Sequence, residues 1–155
     1  MHDKPTLDIA AAHRHFSVEC FNRAWDLIDK PERTPAENEE MVRLTITSTW
    51  HWLQRPDCTP QNLSVGYWQT SRAYSLVGRA GQARRYGQLS LEAIREAGDL
   101  PFYLGYAYEA LARAESVAGH AEKVAGYLGL AREAALRVPD EEARAALLAD
   151  LETIR

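Results

Sequence analysis

The sequence predicts an all-α, helical-hairpin solenoid of about seven helices: three hairpins and a C-terminal capping helix within a single domain, 1–155. Three observations predict it. Helix-starting and helix-stopping residues recur at short, regular intervals. The apolar residues between them follow a helical period, with no useful strand alternation. One stretch of chain also repeats at a fixed offset.

The elements follow in order. A first helix over 7–30 ends before Pro31. Thr34-Pro35-Ala36-Glu37 starts the second, over 35–55. Its threonine can accept from the glutamate amide while the carboxylate reaches back, and proline fits the first helical position. Thr59-Pro60 starts a third helix, 60–79, followed by 82–97. Asp99-Leu100-Pro101 opens 101–118, and a sixth helix covers 120–137. Gly81, Gly98 and Gly119 are placed at helix C-termini, where left-handed or flexible backbone is needed. Pro139-Asp140-Glu141-Glu142 opens the last helix, 141–154, with Leu147, Leu148, Leu151 and Ile154 on one face. Such a lone amphipathic helix covers the exposed end of a helical stack. Gly87, Gly126 and Gly129 fall inside helices, where glycine costs about 1 kcal/mol against alanine. Close approach of a neighbouring helix is the expected reason.

Sliding the chain by 41 residues aligns 67–93 with 108–134, and 10 of the 27 pairs are identical, among them Tyr67/Tyr108, Arg72/Arg113, Ser75/Ser116 and Gly78/Gly119. Each unit is a helix, a glycine-containing turn and a second helix. Tyr67, Ser71, Gly78 and Ala83, then Tyr108, Ala112, Gly119 and Val124, resemble the first helix and turn of a tetratricopeptide (TPR) hairpin. Leu128 and Ala131 extend the match in the second copy; Gly87 and Ser90 depart from it in the first. The repeat units are 60–98 and 101–138, with 7–55 a divergent first hairpin. Arg33-Thr34 and Ser48-x2-His51-Trp52 are similar to an uncharacterised bacterial group of TPR-like proteins.

The resemblance implies that first helices line a concave face, which places Trp68, Arg72 and Ser75 beside Tyr106, Glu109, Arg113 and Ser116. Trp68/Arg72 and Glu109/Arg113 are i,i+4 pairs, each sharing one helix face. An aromatic beside two repeat-matched arginines suits a peptide or protein segment, including an acidic one, because guanidinium grips carboxylate bidentately. The competing reading of Glu109–Arg113 is a surface ion pair of little energetic consequence.

Trp50-His51-Trp52 is the most unusual local sequence. Residues i and i+2 point to different sides of a helix, so one tryptophan is expected at a surface, as an interface or beside a small-molecule pocket. His51 is expected to bond a buried tryptophan or a backbone carbonyl. His13 and His15 lie two apart, which no shared helical face allows, so no metal is expected. From Arg72 to Arg95 five arginines (72, 79, 84, 85, 95) meet one acid, Glu92, a local surplus read as a solvated face.

Composition bounds the function. With 46% hydrophobic and 26% charged residues the chain is globular rather than disordered. A net charge of −4 gives nucleic-acid binding no global support. No apolar run reaches the roughly 18–20 residues of a membrane span. Met1-His2-Asp3-Lys4-Pro5 reads as a plain cytoplasmic start. Cys20 and Cys58 lack CxxC spacing and read as free thiols. No GxSxG elbow is present, and Gly78-Arg79-Ala80-Gly81 lacks the Walker lysine, so the expectation is a non-enzyme without cofactors. The leading expectation is a binding or scaffolding module. A small-molecule sensor subunit and a structural homodimer are the alternatives.

Overall fold

The computed structural model describes residues 6–155, and the polar stretch 1–5 lies outside them. Among the described residues there are seven helices and no strand: α1 (Ile9–Ile28), α2 (Pro35–Leu53), α3 (Pro60–Leu76), α4 (Ala80–Ala97), α5 (Pro101–Ala118), α6 (Ala121–Leu136) and α7 (Glu141–Glu152). No described helix is long and apolar enough to cross a membrane.

Side-chain caps set four of the starts. Asp8 Oδ1 accepts from the Ala11 amide at 2.9 Å, and Asp140 Oδ2 accepts from Ala143 at 2.8 Å. The box at α2 closes both ways, Glu37 N–H to Thr34 Oγ1 and Thr34 N–H to Glu37 Oε2. Thr59 and Asn62 form the same reciprocal pair at α3. Each device satisfies amides that a helix leaves without internal partners.

The repeat explains the paired terminators. Gly78 (φ 76°) and Gly119 (φ 79°) both turn left-handed, and each is followed by a return bond: Arg79 N–H to Tyr74 O, His120 N–H to Glu115 O. This corrects the sequence reading at one point. Helix α3 stops at Leu76 because Gly78 turns the chain, and Gly81 lies within the first turn of α4.

Consecutive helices pair as hairpins: α1 with α2, α3 with α4, α5 with α6. Helix α3 also packs on α2 and α5, α4 on α5, and α7 on α5 and α6. The main core lies toward the C-terminal end, where Ile94, Leu111, Ala131, Leu147 and Leu151 are almost completely buried. Leu147 and Leu151 come from α7, so that helix covers the end of the stack.

The N-terminal half is held differently. Ser48 Oγ donates to Ser17 O (2.7 Å), Gln69 Nε2 to Phe21 O (2.9 Å), and Ser71 Oγ to Ala83 O (2.7 Å). Ser64 and Ser90 exchange hydroxyl bonds to each other's carbonyls at 2.9 Å. Small side chains let the helices approach, and bonding to backbone oxygen removes the cost of burying a hydroxyl.

Helical glycines divide into two kinds. A Cβ at Gly87 would fall 2.9 Å from Leu111 Cδ2, at Gly66 2.9 Å from Thr49 Oγ1, and at Gly105 2.5 Å from Leu147 Cδ2. These are close helix approaches. Gly126 and Gly129, expected to be the same, have nothing within 4 Å. Alanine at either should therefore stabilise the fold by about 0.5–1 kcal/mol through helix propensity. Alanine at Gly119 should destabilise it by about 1–2 kcal/mol, because its left-handed φ disfavours a Cβ. Urea denaturation of the three variants checks both signs.

Candidate functional site

Helices α1, α3 and α5 share one face, and a row of aromatic rings crosses it. Trp25 of α1 lies 5.5 Å from Trp68 of α3, which meets Tyr106 of α5 edge-on at 5.4 Å. Behind this row sits Glu109, 2% exposed. Its Oε2 accepts from the Trp68 indole N–H at 2.7 Å. Its Oε1 accepts from Arg113 Nε one turn along the same helix, and Arg72 Nη1 stands 3.9 Å from the same oxygen. Four of the residues singled out in the sequence therefore meet at one carboxylate. Glu109–Arg113 is a buried pair, not the surface one weighed as the alternative.

Arg72 is the less committed of the two arginines. Its side chain is 27% exposed, and both Glu109 oxygens already accept shorter bonds. Burial first, then the charge of Arg113, lower its pKa from the ordinary value, and Glu109 opposes them.

The α5 half of the predicted site is occupied by α7 and the residues after it. Tyr106 donates its hydroxyl to Asp150 Oδ2 at 2.6 Å. Burial, then this bond, push the phenol pKa well above its usual value. Arg113 Nη2 donates to Thr153 Oγ1 (2.8 Å) and Asp150 O (3.2 Å), and Ser116 Oγ donates to Arg155 O. Ser75, the repeat partner of Ser116, has a buried hydroxyl without a protein partner.

Two cavities lie beside this row; sequence reasoning offered a pocket only near Trp50-His51-Trp52 and none at Trp68 and Tyr106. One of about 250 Å³ is lined by Val65, Trp68, Phe102, Tyr103 and Tyr106, over Ser64 and Ser90. A second, of about 220 Å³, involves Val18, Phe21, Trp52 and Gly66, and shares Val65 and Tyr103 with the first. The available signal was Phe102-Tyr103-x2-Tyr106 directly after Pro101, three rings in the first turns of α5.

The Trp50-His51-Trp52 segment splits. Trp50 is 52% exposed and edge-on to His13 at 5.5 Å. Trp52 lies under the Arg55 guanidinium, 3.9 Å from ring centroid to Cζ, and lines the second cavity. His51 bonds neither a tryptophan nor a carbonyl: its Nδ1 is 2.8 Å from His13 Nδ1. Burial, then the proximity of His13, lower its pKa below the ordinary imidazole value. His15 turns to Phe16 instead. Among the described residues no group of three or more His, Cys, Asp or Glu is placed to hold a metal ion. Cys20 and Cys58 are both free.

Much of the arginine surplus is used internally. Arg84 makes a bidentate pair with Glu115 (2.5 and 3.2 Å), Arg95 donates to the Tyr108 hydroxyl, and Arg72 faces Glu109. Glu115, 2% exposed, also meets His120 Nδ1 at 2.6 Å. The Arg84 hydrogen bonds foremost, helped by the bond to His120, hold its carboxyl at about 2.

No protein-family model, no curated protein and no solved structure matches this chain.

Two stability predictions follow from the two buried acids. Glu109→Ala leaves Arg113 and the indole without their acceptor and should cost about 3 kcal/mol. Ser75→Ala breaks no protein hydrogen bond and should stay within about 0.5 kcal/mol of the parent. Equal losses in urea denaturation would contradict the hub geometry. Glu115 has a lowered native pKa, so its contribution is present above the unfolded value near 4.3 and disappears as pH falls toward about 2. Acid titration of Glu115→Gln should show a smaller stability loss between about pH 5 and 2 than the parent.

Proposed function

We propose that this chain is a non-catalytic binding module of TPR-like type, which receives a peptide or protein segment across the face formed by α1, α3 and α5. The observation that carries the reading is the pair of neighbouring cavities beside that face, which share Val65 and Tyr103 in their walls and are lined further by Val18, Phe21, Trp68 and Tyr106. These walls come from α1, α3 and α5, with Trp52 of α2 and Ser90 of α4 completing the linings, so an extended segment crossing the helices meets both. Aromatic walls give contact area at low entropic cost, the usual composition of an interface anchor. Arg72, partly exposed and loosely paired one turn beyond Trp68, favours a segment with an acidic residue at that end. Arg113 is unsuitable as a test of binding, since it also braces α7. A cytoplasmic setting belongs to the same proposal, and two free cysteines are compatible with it.

Peptides selected from a display library on the folded protein provide the test. Val65→Arg, which fills the shared wall of the cavities, and Trp68→Ala should each weaken a selected peptide at least tenfold. Arg72→Gln should weaken acidic peptides preferentially, and Trp50→Ser should change nothing. Selected peptides indifferent to Val65→Arg, read by fluorescence anisotropy, would remove the groove from consideration.

A second reading concerns self-association. Ile46, Trp50 and Leu53 are spaced i, i+4, i+7 on α2 and are 39%, 52% and 51% exposed, a solvent-facing apolar stripe. If this stripe pairs two copies, light scattering gives twice the 17.4 kDa chain mass, and Trp50→Ser restores the single mass. A parent protein of single mass at high concentration rules the homodimer out.

A further inference from the structure

The cavity between α3, α4 and α5 is walled mainly by π surface. Trp68, Phe102, Tyr103 and Tyr106 line it, and no Lys, Arg, Asp or Glu is among its walls. Ser64 and Ser90 spend their hydroxyls on each other's carbonyls and bring no charge. Adjacent rings stand nearly at right angles: Trp68 to Tyr106 at 72°, Tyr106 to Phe102 at 73°, Phe102 to Tyr103 at 89°, with centroids 5.1–5.4 Å apart. Walls so arranged present aromatic surface to one small volume from several directions, as a flat stack does not.

Two of the rings are hydrogen-bonded at their polar edges to carboxylates, Tyr106 to Asp150 at 2.6 Å and Trp68 to Glu109 at 2.7 Å. Such a bond shifts negative charge into the ring and strengthens the pull of its face on a cation. Glu109 shares its charge with Arg113, whereas Asp150 enters no ion pair among the described residues, so Tyr106 gains most. A neutral apolar group would draw no benefit from this polarisation. A bare ammonium would lose strong hydration on entry, and a methylated one much less. At about 250 Å³ the space is below the roughly 300–1,000 Å³ of drug-sized sites, so it suits one compact head group.

We propose that this cavity is a cage for a quaternary or fully methylated ammonium group. The group is carried by a free small molecule or by a trimethylated lysine; only the second source rests on the peptide groove proposed above.

Calorimetry with choline and its neutral carbon isostere, dimethylbutanol, separates cation recognition from apolar filling, because the two differ in charge and little in shape. Choline should bind at least tenfold tighter than the alcohol. Asp150→Asn should cut that ratio at least threefold while leaving the alcohol unchanged, and Trp68→Leu should abolish choline binding with the helical circular dichroism retained. A trimethyllysine peptide binding tighter than choline identifies a peptide as the source; equal affinity identifies the free head group. Alcohol binding as tightly as choline overturns the cage, as does failure of both choline and the trimethyllysine peptide to bind. Selected peptides that still respond to Val65→Arg in that event leave the groove standing. Choline binding without any groove peptide leaves the cage and removes the groove.

Discussion

Glu109 is a carboxylate with almost no solvent exposure, set behind the aromatic row where α3 and α5 meet. Taking a carboxylate out of water is expensive unless every lone pair finds a donor. Here the donors are Arg113 on its own helix and Trp68 on the preceding unit, with the Arg72 guanidinium 3.9 Å off as a further positive charge. Satisfying that one group therefore fixes the rotation of α5 against α3 and the orientation of the Trp68 ring. Because Arg113 also reaches Thr153 and Asp150 O, the same constraint passes on to α7. The line of contact along the odd-numbered helices is thus a chain of hydrogen bonds anchored on a buried charge, in contrast to the apolar contacts that join α5, α6 and α7 on their other sides.

The two ends of the stack solve different problems. Leu147 and Leu151 of α7 close the C-terminal end with apolar burial. The first hairpin has smaller apolar clusters, such as Cys20, Ala24 and Leu44, and relies on serine and glutamine side chains bonded to backbone carbonyls of neighbouring helices. Such bonds are short and directional, so they set spacing and rotation more narrowly than apolar contact alone.

The fold was legible because its punctuation is local. A Thr-Pro start, an aspartate cap or a left-handed glycine acts within a few residues, and the 41-residue repeat turned local signals into an architecture. The misreading of Gly81 shows the limit: Gly78 and Gly81 flank the same turn, and only the backbone conformation tells which one ends the helix. The site was legible in part. Repeat matching picked out Arg72 and Arg113, and helical spacing picked out Trp68 with Arg72 and Glu109 with Arg113. That Glu109 accepts from Trp68 depends on the separation of two helices, which no sequence period encodes. The cavity walls were hidden for a similar reason. No period or repeat match singles out Phe102 and Tyr103, and only the packing of α3, α4 and α5 leaves space beside them. His51 found His13 across 38 residues, a pairing set by how α1 crosses α2.

The hub also bears on how the cavity would act on an occupant. Binding loses free energy whenever the receptor's side chains must be ordered on contact. Trp68 and Tyr106 are already held, each by a hydrogen bond at its polar edge and by edge-on contact with the other. Their rings are consequently fixed before any partner arrives, and the carboxylates that fix them lie outside the cavity wall. The buried charge thus has two consequences from one arrangement. It locks the relative placement of α3, α5 and α7, and it leaves the aromatic surfaces of α3 and α5 rigid and free of charged groups on the side that faces the cavity.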